Sequence, residues 1–475
     1  MIFNSIEFIV FFIVFFVSYW FIFKGKLKQQ NLLILIGSYF FYAYWDWRFL
    51  SLIVVSSLIG FYLGKLINNS SNTKIKRRLL FIGIFQGLCV LFFFKYYNFF
   101  ISSFVELFSK LDITINLHTL KIILPIGISF YTFKILSYLI DIYKGKVEAC
   151  NDWIAFFSYV AFFPCLTSGP IDKAKKLIPQ LMNKRIFVYD QASDGLRQIL
   201  WGLFKKIVIA DNCATLTNYI FENHHILPAS SLLIGVFFYA IQLYADFSGY
   251  TDMAIGVAKL LGFEITKNFD FPYFSKNIAE FWRKWHISLT SWMTEYVFTP
   301  LNIAFRDWGK LGIVSAVLIN FLIIGTWHGA NWTFIIFGLL HGLLFLSVIL
   351  RPAKKKKKSD VVNLLKISTT FFVVMLTLVF FRVDSINDAL SYYYNLLSPS
   401  LFSFPVLPYR KSALITLIFI ILFIIVEWIQ KDKHHGLQLN HIKNSFMRLS
   451  IYYILIFCII LFGNTDSNQF IYFNF

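Results

Sequence analysis

The stretch 268–301 reads NFDFPYFSKNIAEFWRKWHISLTSWMTEYVFTPL, and a second stretch, 323–342, reads IIGTWHGANWTFIIFGLLHG. Each holds one histidine of note in apolar surroundings, His286 in the first and His328 in the second. An ionisable side chain inside a hydrophobic run of a membrane protein is costly, and by default it marks a functional site. Histidine also titrates near neutral pH, which suits it to take up and return a proton. These two residues are therefore our first candidates for chemistry.

The composition indicates the fold class. Of 475 residues, 58% are hydrophobic and 20% aromatic, whereas only 15% are charged. Apolar runs near the ~20 residues needed to cross a bilayer recur along the chain. We therefore predict an all-α polytopic membrane protein with about 11–12 transmembrane helices plus short re-entrant or interfacial helices. It would form one integral-membrane domain over 1–475, with N-terminal spans at about 6–143, a catalytic core at about 153–350 and C-terminal spans at about 364–463.

Two segments before the core carry helix-breaking residues. Pro125 and Gly127 are expected to kink a crossing over 122–143 near its start. The segment 153–166 is short for a crossing and ends near further prolines and glycines. Such interrupted apolar segments favour re-entrant helices, which are tolerated only where protein or a water-filled cavity surrounds them.

Two charged motifs interrupt apolar segments in the core. Lys205 and Lys206 lie within 195–210, which favours an interfacial helix over a full crossing. The motif Asp246–Gly249 predicts a polar break between two apolar segments. Asp246 and the nearby Asp252 either cap a helix end or serve a functional site, and the sequence favours neither.

The net charge of +19 comes from 44 basic and 25 acidic residues. Most of this excess fits the rule that cytoplasmic loops of membrane proteins collect Lys and Arg, and Lys354–Lys358 is the plainest such loop. The basic residues are scattered among the spans, so no nucleic-acid-binding face is predicted. The five cysteines are also scattered, which argues against a disulfide framework or a metal site.

The region around His286 is predicted to be one helix over 279–296. Trp282, Trp285 and further apolar residues recur at three- and four-residue steps and give one stripe, with His286 at its edge. Arg283 and Lys284 beside it would favour an anionic donor, such as coenzyme A or a phosphopantetheine arm. The alternative is an interfacial helix whose basic side chains reach to the membrane surface.

His328 follows a long uncharged run and is flanked by glycines that allow another backbone or a substrate to approach closely. The alternative is a histidine that only bonds a neighbouring helix. His341 lies 13 residues further on, and on one continuous helix it would point away from His328, which predicts a structural role.

We assign the catalytic roles to His328 and His286. The candidate substrate-binding residues are Trp282, Arg283, Lys284, Trp285, Trp327, Asn331 and Asp246.

Several further stretches resemble the membrane-bound O-acyltransferase superfamily, and within it the bacterial branch that O-acetylates cell-surface polysaccharides, alginate among them. They are spread over nearly the whole chain. Besides the two stretches quoted first, they are SYFFYAYWDWRFL at 38–50, FFKYYNFF at 93–100, LPIGISFYTF at 124–133, FFPCLTSGPI at 162–171, GLFKKIVIADNCA at 202–214, YADFSGYTDMAIG at 244–256 and QFIYFNF at 469–475.

The resemblance implies the fold of that superfamily and transfer of an acyl group from a thioester to a hydroxyl. His328 matches the family's essential histidine, and His286 its second histidine. The resemblance implies a donor such as acetyl-CoA or another acyl thioester, bound as a substrate from the cytoplasm, with no bound cofactor. The acceptor side would hold an exported polysaccharide or an extracytoplasmic acetyltransferase partner, and the location would be the bacterial inner membrane. One departure is Asn302–Ile303, where many relatives have Gly-Gly, and it bears on the acceptor.

A hydroxyl is a poor nucleophile at neutral pH, so such a transfer needs a base within hydrogen-bond reach. We expect His328 to be that base, and His286 or a nearby backbone amide to orient the acceptor or stabilise the oxyanion. We also expect the two histidines to lie close together, as walls of one cavity. The main alternative is a transporter for a lipid-linked glycan, which needs no acyl chemistry. A purely structural subunit is a third possibility.

Overall fold

The structure is a computed structural model that describes residues 1–115, 117–350, 359–439, 442–464 and 470–471. All regular elements in these ranges are helical. The lysine run Lys354–Lys358 lies outside the described residues.

The α-helices of the first part of the chain are α1 Ile6–Val17, α2 Leu27–Asp46, α3 Leu50–Asn69, α4 Thr73–Leu91, α5 Tyr97–Ser109, α6 Ile128–Tyr143, α7 Trp153–Ala161, α8 Phe163–Leu166, α9 Ala174–Met182, α10 Tyr189–Leu203, α11 Asp211–Glu222 and α12 Ala229–Leu260. Those of the second part are α13 Ile278–Lys284, α14 Ile287–Met293, α15 Thr299–Ala304, α16 Lys310–His328, α17 Trp332–Ile349, α18 Asp360–Thr377, α19 Val379–Arg382, α20 Ile386–Leu396, α21 Arg410–Ile429 and α22 Ser445–Phe462. Short π-helical turns interrupt or extend several of them, at Ser18–Ile22, Phe92–Tyr96, Phe204–Ala210 and Thr294–Phe298.

Eight stretches of the described residues are long and apolar enough to cross a membrane. They are Leu27–Asn69, Thr73–Ser109, Ala229–Leu260, Lys310–His328, Trp332–Ile349, Asp360–Arg382, Arg410–Ile429 and Ser445–Phe462. The predicted number was higher, partly because the first stretch holds both α2 and α3 and because Ile6–Ile22 is too short to qualify. The class of all-α polytopic membrane protein is confirmed.

The chain forms two compact units. The first comprises Met1–Leu196 with Ala254–Thr266, and the second comprises Arg197–Met253 with Lys267–Phe475. The second unit holds both candidate histidines.

The first unit is built on buried aromatic residues. Phe41 lies 5.7 Å from Phe163 and 6.1 Å from Phe8, measured between ring centroids. Helix α6 is buried along nearly its whole length, and it begins only after Pro125, with Gly127 as its left-handed N-cap. The predicted kinked crossing over 122–143 is therefore wrong. The proline and glycine precede the helix rather than bend it.

Helix α12 corrects a second prediction. It runs unbroken through Asp246–Gly249, so the expected polar break is absent and neither Asp246 nor Asp252 caps a helix end. Both carboxylates instead lie in mid-helix, where ion pairs compensate their charge.

Helices α16 and α17 of the second unit approach each other through two glycines. A Cβ on Gly338 would lie 2.3 Å from the backbone oxygen of Phe321, and a Cβ on Gly325 would lie 2.3 Å from that of Phe334. Small residues of this kind let helices in a membrane pack closely. The contact sets the position of His328, which ends α16.

We predict that Gly338→Ala lowers the free energy of unfolding by ~1–3 kcal/mol, because the new methyl group meets backbone that cannot rotate away. The matched control is Leu343→Ala on the same helix, where the side chain is half exposed. Thermal unfolding in detergent measures both. Equal effects of the two substitutions would show that the close approach of α16 and α17 does not limit stability.

Candidate active site

His286 lies at a break between two short helices. Helix α13 ends at Lys284, Trp285 is extended, and α14 begins at Ile287. His286 itself adopts a left-handed conformation, with φ 45° and ψ 54°. The predicted single helix over 279–296 is therefore wrong. A non-glycine residue with positive φ is uncommon, and such strain is often found at functional sites.

Asn268 holds this break in place. Its backbone oxygen accepts a hydrogen bond from the Ile287 N–H at 2.8 Å, and its side-chain oxygen accepts one from the Ser288 N–H at 3.3 Å. The Asp270 N–H also donates to the Lys284 oxygen at 3.0 Å. The first N–H groups of a helix need partners from outside the helix, and Asn268 supplies two of them to α14. The stretch 268–270 therefore fixes the backbone conformation at His286.

The His286 ring is fully buried and lies between two aromatic side chains. Its centroid is 4.7 Å from that of Phe247 and 5.5 Å from that of Trp327. Burial lowers the pKa of His286 to about 3. The imidazole is therefore neutral near pH 7 and carries one N–H donor and one acceptor nitrogen.

His328 is the last residue of α16 and is also buried. Its ring centroid lies 5.0 Å from that of Trp327 and 5.0 Å from that of Phe381. Gly329 follows, where a Cβ would lie 2.2 Å from the Phe334 ring, so glycine is required for the turn. Trp327 thus contacts both candidate histidines.

A small enclosed cavity of about 10 Å³ adjoins His328, enough for about one water. The lining residues are Leu243, Tyr273, Phe281, Trp285, His328, Phe337, His341, Val374, Leu378 and Phe381. His341 thus shares this cavity with His328, so the prediction that it points away is wrong. His286 is not among the described residues that line it, so the prediction that the two histidines are walls of one cavity is wrong for this cavity. Trp327 contacts both histidines.

His341 has both ring nitrogens committed. The Trp282 Nε1–H donates to His341 Nδ1 at 3.1 Å, so that nitrogen is an acceptor. The Thr377 hydroxyl donates to the Val374 oxygen at 2.6 Å, so the 2.9 Å contact between His341 Nε2 and Thr377 requires the histidine to donate. His341 is therefore a neutral, oriented ring that ties α13 to α17 and α18. The predicted structural role fits this geometry.

We predict that Trp282→Phe lowers the free energy of unfolding by ~1–3 kcal/mol, because it leaves the buried His341 Nδ1 without its donor. Trp285→Phe is the matched control, since that neighbouring indole is equally buried and its Nε1 donates no hydrogen bond within the described residues. Denaturant or thermal unfolding followed by fluorescence compares the two. A loss of equal size in both variants would mean that ring packing, and not the hydrogen bond, carries the effect.

Lys205 and Lys206 are buried, which overturns their predicted place on an interfacial helix. Lys205 Nζ lies 2.6 Å from an Asp252 oxygen. Lys206 Nζ lies 2.8 Å from Asp211 and 2.9 Å from Asp246. The two lysines therefore neutralise carboxylates of α11 and α12 that would otherwise be too costly to bury.

Asp246 also bonds the backbone at Ile471. Its second oxygen accepts a hydrogen bond from the Ile471 N–H at 2.8 Å. Phe470 beside it is buried, with its ring centroid 4.7 Å from that of Tyr250 and 6.0 Å from that of Phe247. Because Phe247 contacts His286, this ion pair supports one wall around the histidine.

We predict that Lys206→Met lowers the free energy of unfolding by ~3–5 kcal/mol, because it leaves two carboxylates buried without their cation. The control Lys284→Met removes a half-exposed partner of Glu280 and should cost ~0–1 kcal/mol. The yield and thermal stability of the purified protein measure both. A Lys206→Met protein as stable as the control would mean that the buried pair does not hold these helices.

Only some of the predicted substrate-binding residues lie beside the cavity or the histidines. Trp285 lines the cavity, and Trp327 lies between the histidines. Arg283 is exposed, and Lys284 pairs with Glu280 at 3.0 Å. The remaining three have partners within the protein: Trp282 bonds His341, Asp246 pairs with Lys206, and Asn331 accepts from the Thr333 N–H as the N-cap of α17.

Sequence reasoning gave no role to Tyr273, which lines the cavity, or to Asn268, which holds the His286 turn. One available signal went unused. Basic and acidic residues that lie within apolar segments commonly pair with one another inside a membrane protein. Lys205 and Lys206 are the basic residues here, and α12 carries the acidic ones.

Comparison with known proteins identifies the family. Residues 39–382 match the family model described as the membrane-bound O-acyltransferase family. The chain belongs to this family.

Three relatives illustrate its range. The chain is 37% identical over 394 residues to the probable alginate O-acetylase of Pseudomonas aeruginosa, an alignment that covers 82% of this chain and 73% of that protein. It is 31% identical over 494 residues to the peptidoglycan O-acetyltransferase of Helicobacter pylori, covering 94% of this chain and 91% of that protein. It is 29% identical over 272 residues to the teichoic acid D-alanyltransferase of Streptococcus thermophilus, covering 53% and 62% respectively.

As a membrane-bound O-acyltransferase, the protein is a multi-pass membrane enzyme that uses an acyl donor as a substrate. The predicted family and the predicted class of O-acyltransferase are confirmed. The comparisons give the transporter alternative no support.

Proposed function

We propose that this enzyme O-acetylates an exported cell-surface polysaccharide from the bacterial inner membrane, with His328 as the general base. The observation that carries the proposal is the placement of His328: it is buried at the end of a membrane-spanning helix and adjoins a cavity. His341, which shares that cavity, has both nitrogens committed. The names of two relatives, an alginate O-acetylase and a peptidoglycan O-acetyltransferase, support a polysaccharide acceptor.

In the proposed reaction the acceptor hydroxyl oxygen attacks the carbonyl carbon of an acetyl thioester. The hydroxyl proton passes to His328 as the C–O bond forms. The tetrahedral intermediate then collapses, the C–S bond breaks, and the protonated His328 returns its proton to the leaving thiolate. The neutral His286 would donate its N–H to the oxyanion of the intermediate, which stabilises the charge as it develops.

The donor would be acetyl-CoA or another acyl thioester that enters from the cytoplasm. Because the cavity beside His328 holds only about one water, the acyl group would seat there only after neighbouring aromatic side chains turn aside. Trp285 lines this cavity and Trp327 packs against His328, so both are candidates to contact that group once the rings have moved.

The acceptor would be an alginate-like exopolysaccharide, peptidoglycan or another exported polymer. The acetyl group would reach it either directly or through an extracytoplasmic acetyltransferase partner. Assaying the purified enzyme with donor and polymer, with and without a candidate partner, separates these two routes.

We predict that His328→Ala lowers acetyl transfer by ~10²–10⁴-fold, the usual worth of a general base. The substitution is made in cells that lack the native gene, and ester groups per polymer are measured by mass spectrometry. His225→Ala is the control, since this exposed histidine lies away from the cavity.

His286→Asn should also lower acetyl transfer. Asparagine is the replacement because it tolerates the left-handed backbone that this position requires. The amount of inserted protein and the amount of polymer should stay normal in each variant. Near-normal acetylation with His328→Ala would overturn the assignment of the base, and loss of the polymer itself would overturn the proposed reaction.

A further inference from the structure

An apolar groove opens on the second unit, away from the histidines. It encloses about 630 Å³, within the ~300–1,000 Å³ usual for small-molecule sites. Its walls come from three membrane-spanning helices, α12, α18 and α21, and from the loop before α21. Representative lining residues are Phe237, Phe371, Met375, Phe404, Ala413 and Leu417.

The mouth of the groove is basic. Arg410 is the one charged residue among the described residues that line it. Within the described part of the chain it forms no ion pair, and Lys411 beside it is also exposed. Arg410 also begins α21, where the preceding Tyr409 provides no side-chain cap for the first N–H groups. Cationic side chains and free helical N–H groups together favour an anion at this point.

The loop before α21 carries the aromatic residues expected at a membrane surface. Phe402, Phe404 and Tyr409 are 93%, 84% and 72% exposed. Aromatic side chains gather where the acyl region of a bilayer meets its headgroups. From Arg410 to Leu417 the groove follows α21 for seven residue steps, or ~10 Å along the helix axis. This arrangement would put its charged end at headgroup level and its apolar floor within the acyl region.

We propose that this groove is a binding site for an anionic phospholipid of the surrounding bilayer. The phosphate would contact Arg410 and the start of α21, and one acyl chain would lie between α12, α18 and α21. A free phosphate would leave the apolar floor unused, and in a zwitterionic phospholipid the ammonium group already balances the phosphate charge that Arg410 would meet.

The position of the site links it to the candidate active site. Phe371 on the groove wall contacts Tyr273 on the cavity wall, with ring centroids 5.0 Å apart. Met375 faces the groove, while the preceding residue Val374 faces the cavity. A bound acyl chain would therefore pack against the face of α18 opposite the cavity and stabilise the position of that helix.

The test uses the full chain purified in mild detergent from membranes that contain phosphatidylglycerol and phosphatidylethanolamine. Native mass spectrometry counts the lipids that each protein retains. Ala413→Trp should fill the groove and remove a retained phosphatidylglycerol, whereas Ile418→Trp, on an exposed face of α21 outside the groove, should not.

Arg410→Gln should lower the preference for phosphatidylglycerol over phosphatidylethanolamine about fivefold, the usual effect of one basic residue at an anionic membrane surface. Lys433→Gln, an exposed cation beyond the other end of α21, should leave that preference unchanged. Unchanged phosphatidylglycerol retention by Ala413→Trp, or an unchanged preference in Arg410→Gln, would overturn the proposal. Because Arg410 is exposed, its substitution tests the site even where Ala413→Trp fails to fold.

Discussion

The ion pair between Lys206 and Asp246 is the interaction on which the second unit most depends. A lysine and a carboxylate are each too costly to bury alone in an apolar interior, so Asp246 depends on Lys206, which also pairs with Asp211. Together they allow α12 to remain one continuous helix through an acidic position and bring the π-helical turn Phe204–Ala210 against it. The same carboxylate then holds Ile471, and the neighbouring Phe470 packs near Phe247 beside His286. The polar network thus supports one wall of the candidate site.

His341 joins three helices through its two ring nitrogens. Trp282 and Thr377 engage both nitrogens of His341, so it can neither accept nor give a proton without loss of a bond. Aromatic rings pack against His286 and His328, with Trp327 against both. Aromatic walls exclude water, which strengthens any charge–dipole interaction that develops during a reaction. The structural role of His341 and the aromatic walls around His328 and His286 are why we propose the chemistry at the latter two residues.

The sequence predicted the membrane class, the helices on both sides of His328 and the family, because hydrophobic length and motif content are local properties. The prediction of one helix through His286 was wrong, because the apolar residues keep their helical spacing across the break. The residue that holds the break, Asn268, lies 18 positions earlier in the sequence. The prediction for α12 was wrong, because the lysines that neutralise its carboxylates come from a distant segment. The predicted direction of the His341 side chain was wrong because it assumed one continuous helix, whereas the chain turns between His328 and Trp332.

The central claim is that acyl transfer takes place at the two histidines joined by Trp327. Its most direct test is an experimental structure of the enzyme bound to a non-hydrolysable acetyl thioester analogue. The account predicts the analogue's carbonyl group beside Trp327, leaving room for an acceptor oxygen ~3–3.5 Å from the carbonyl carbon and within hydrogen-bond reach of His328. A carbonyl group bound away from both histidines, with the rings around His328 still closed, would contradict it.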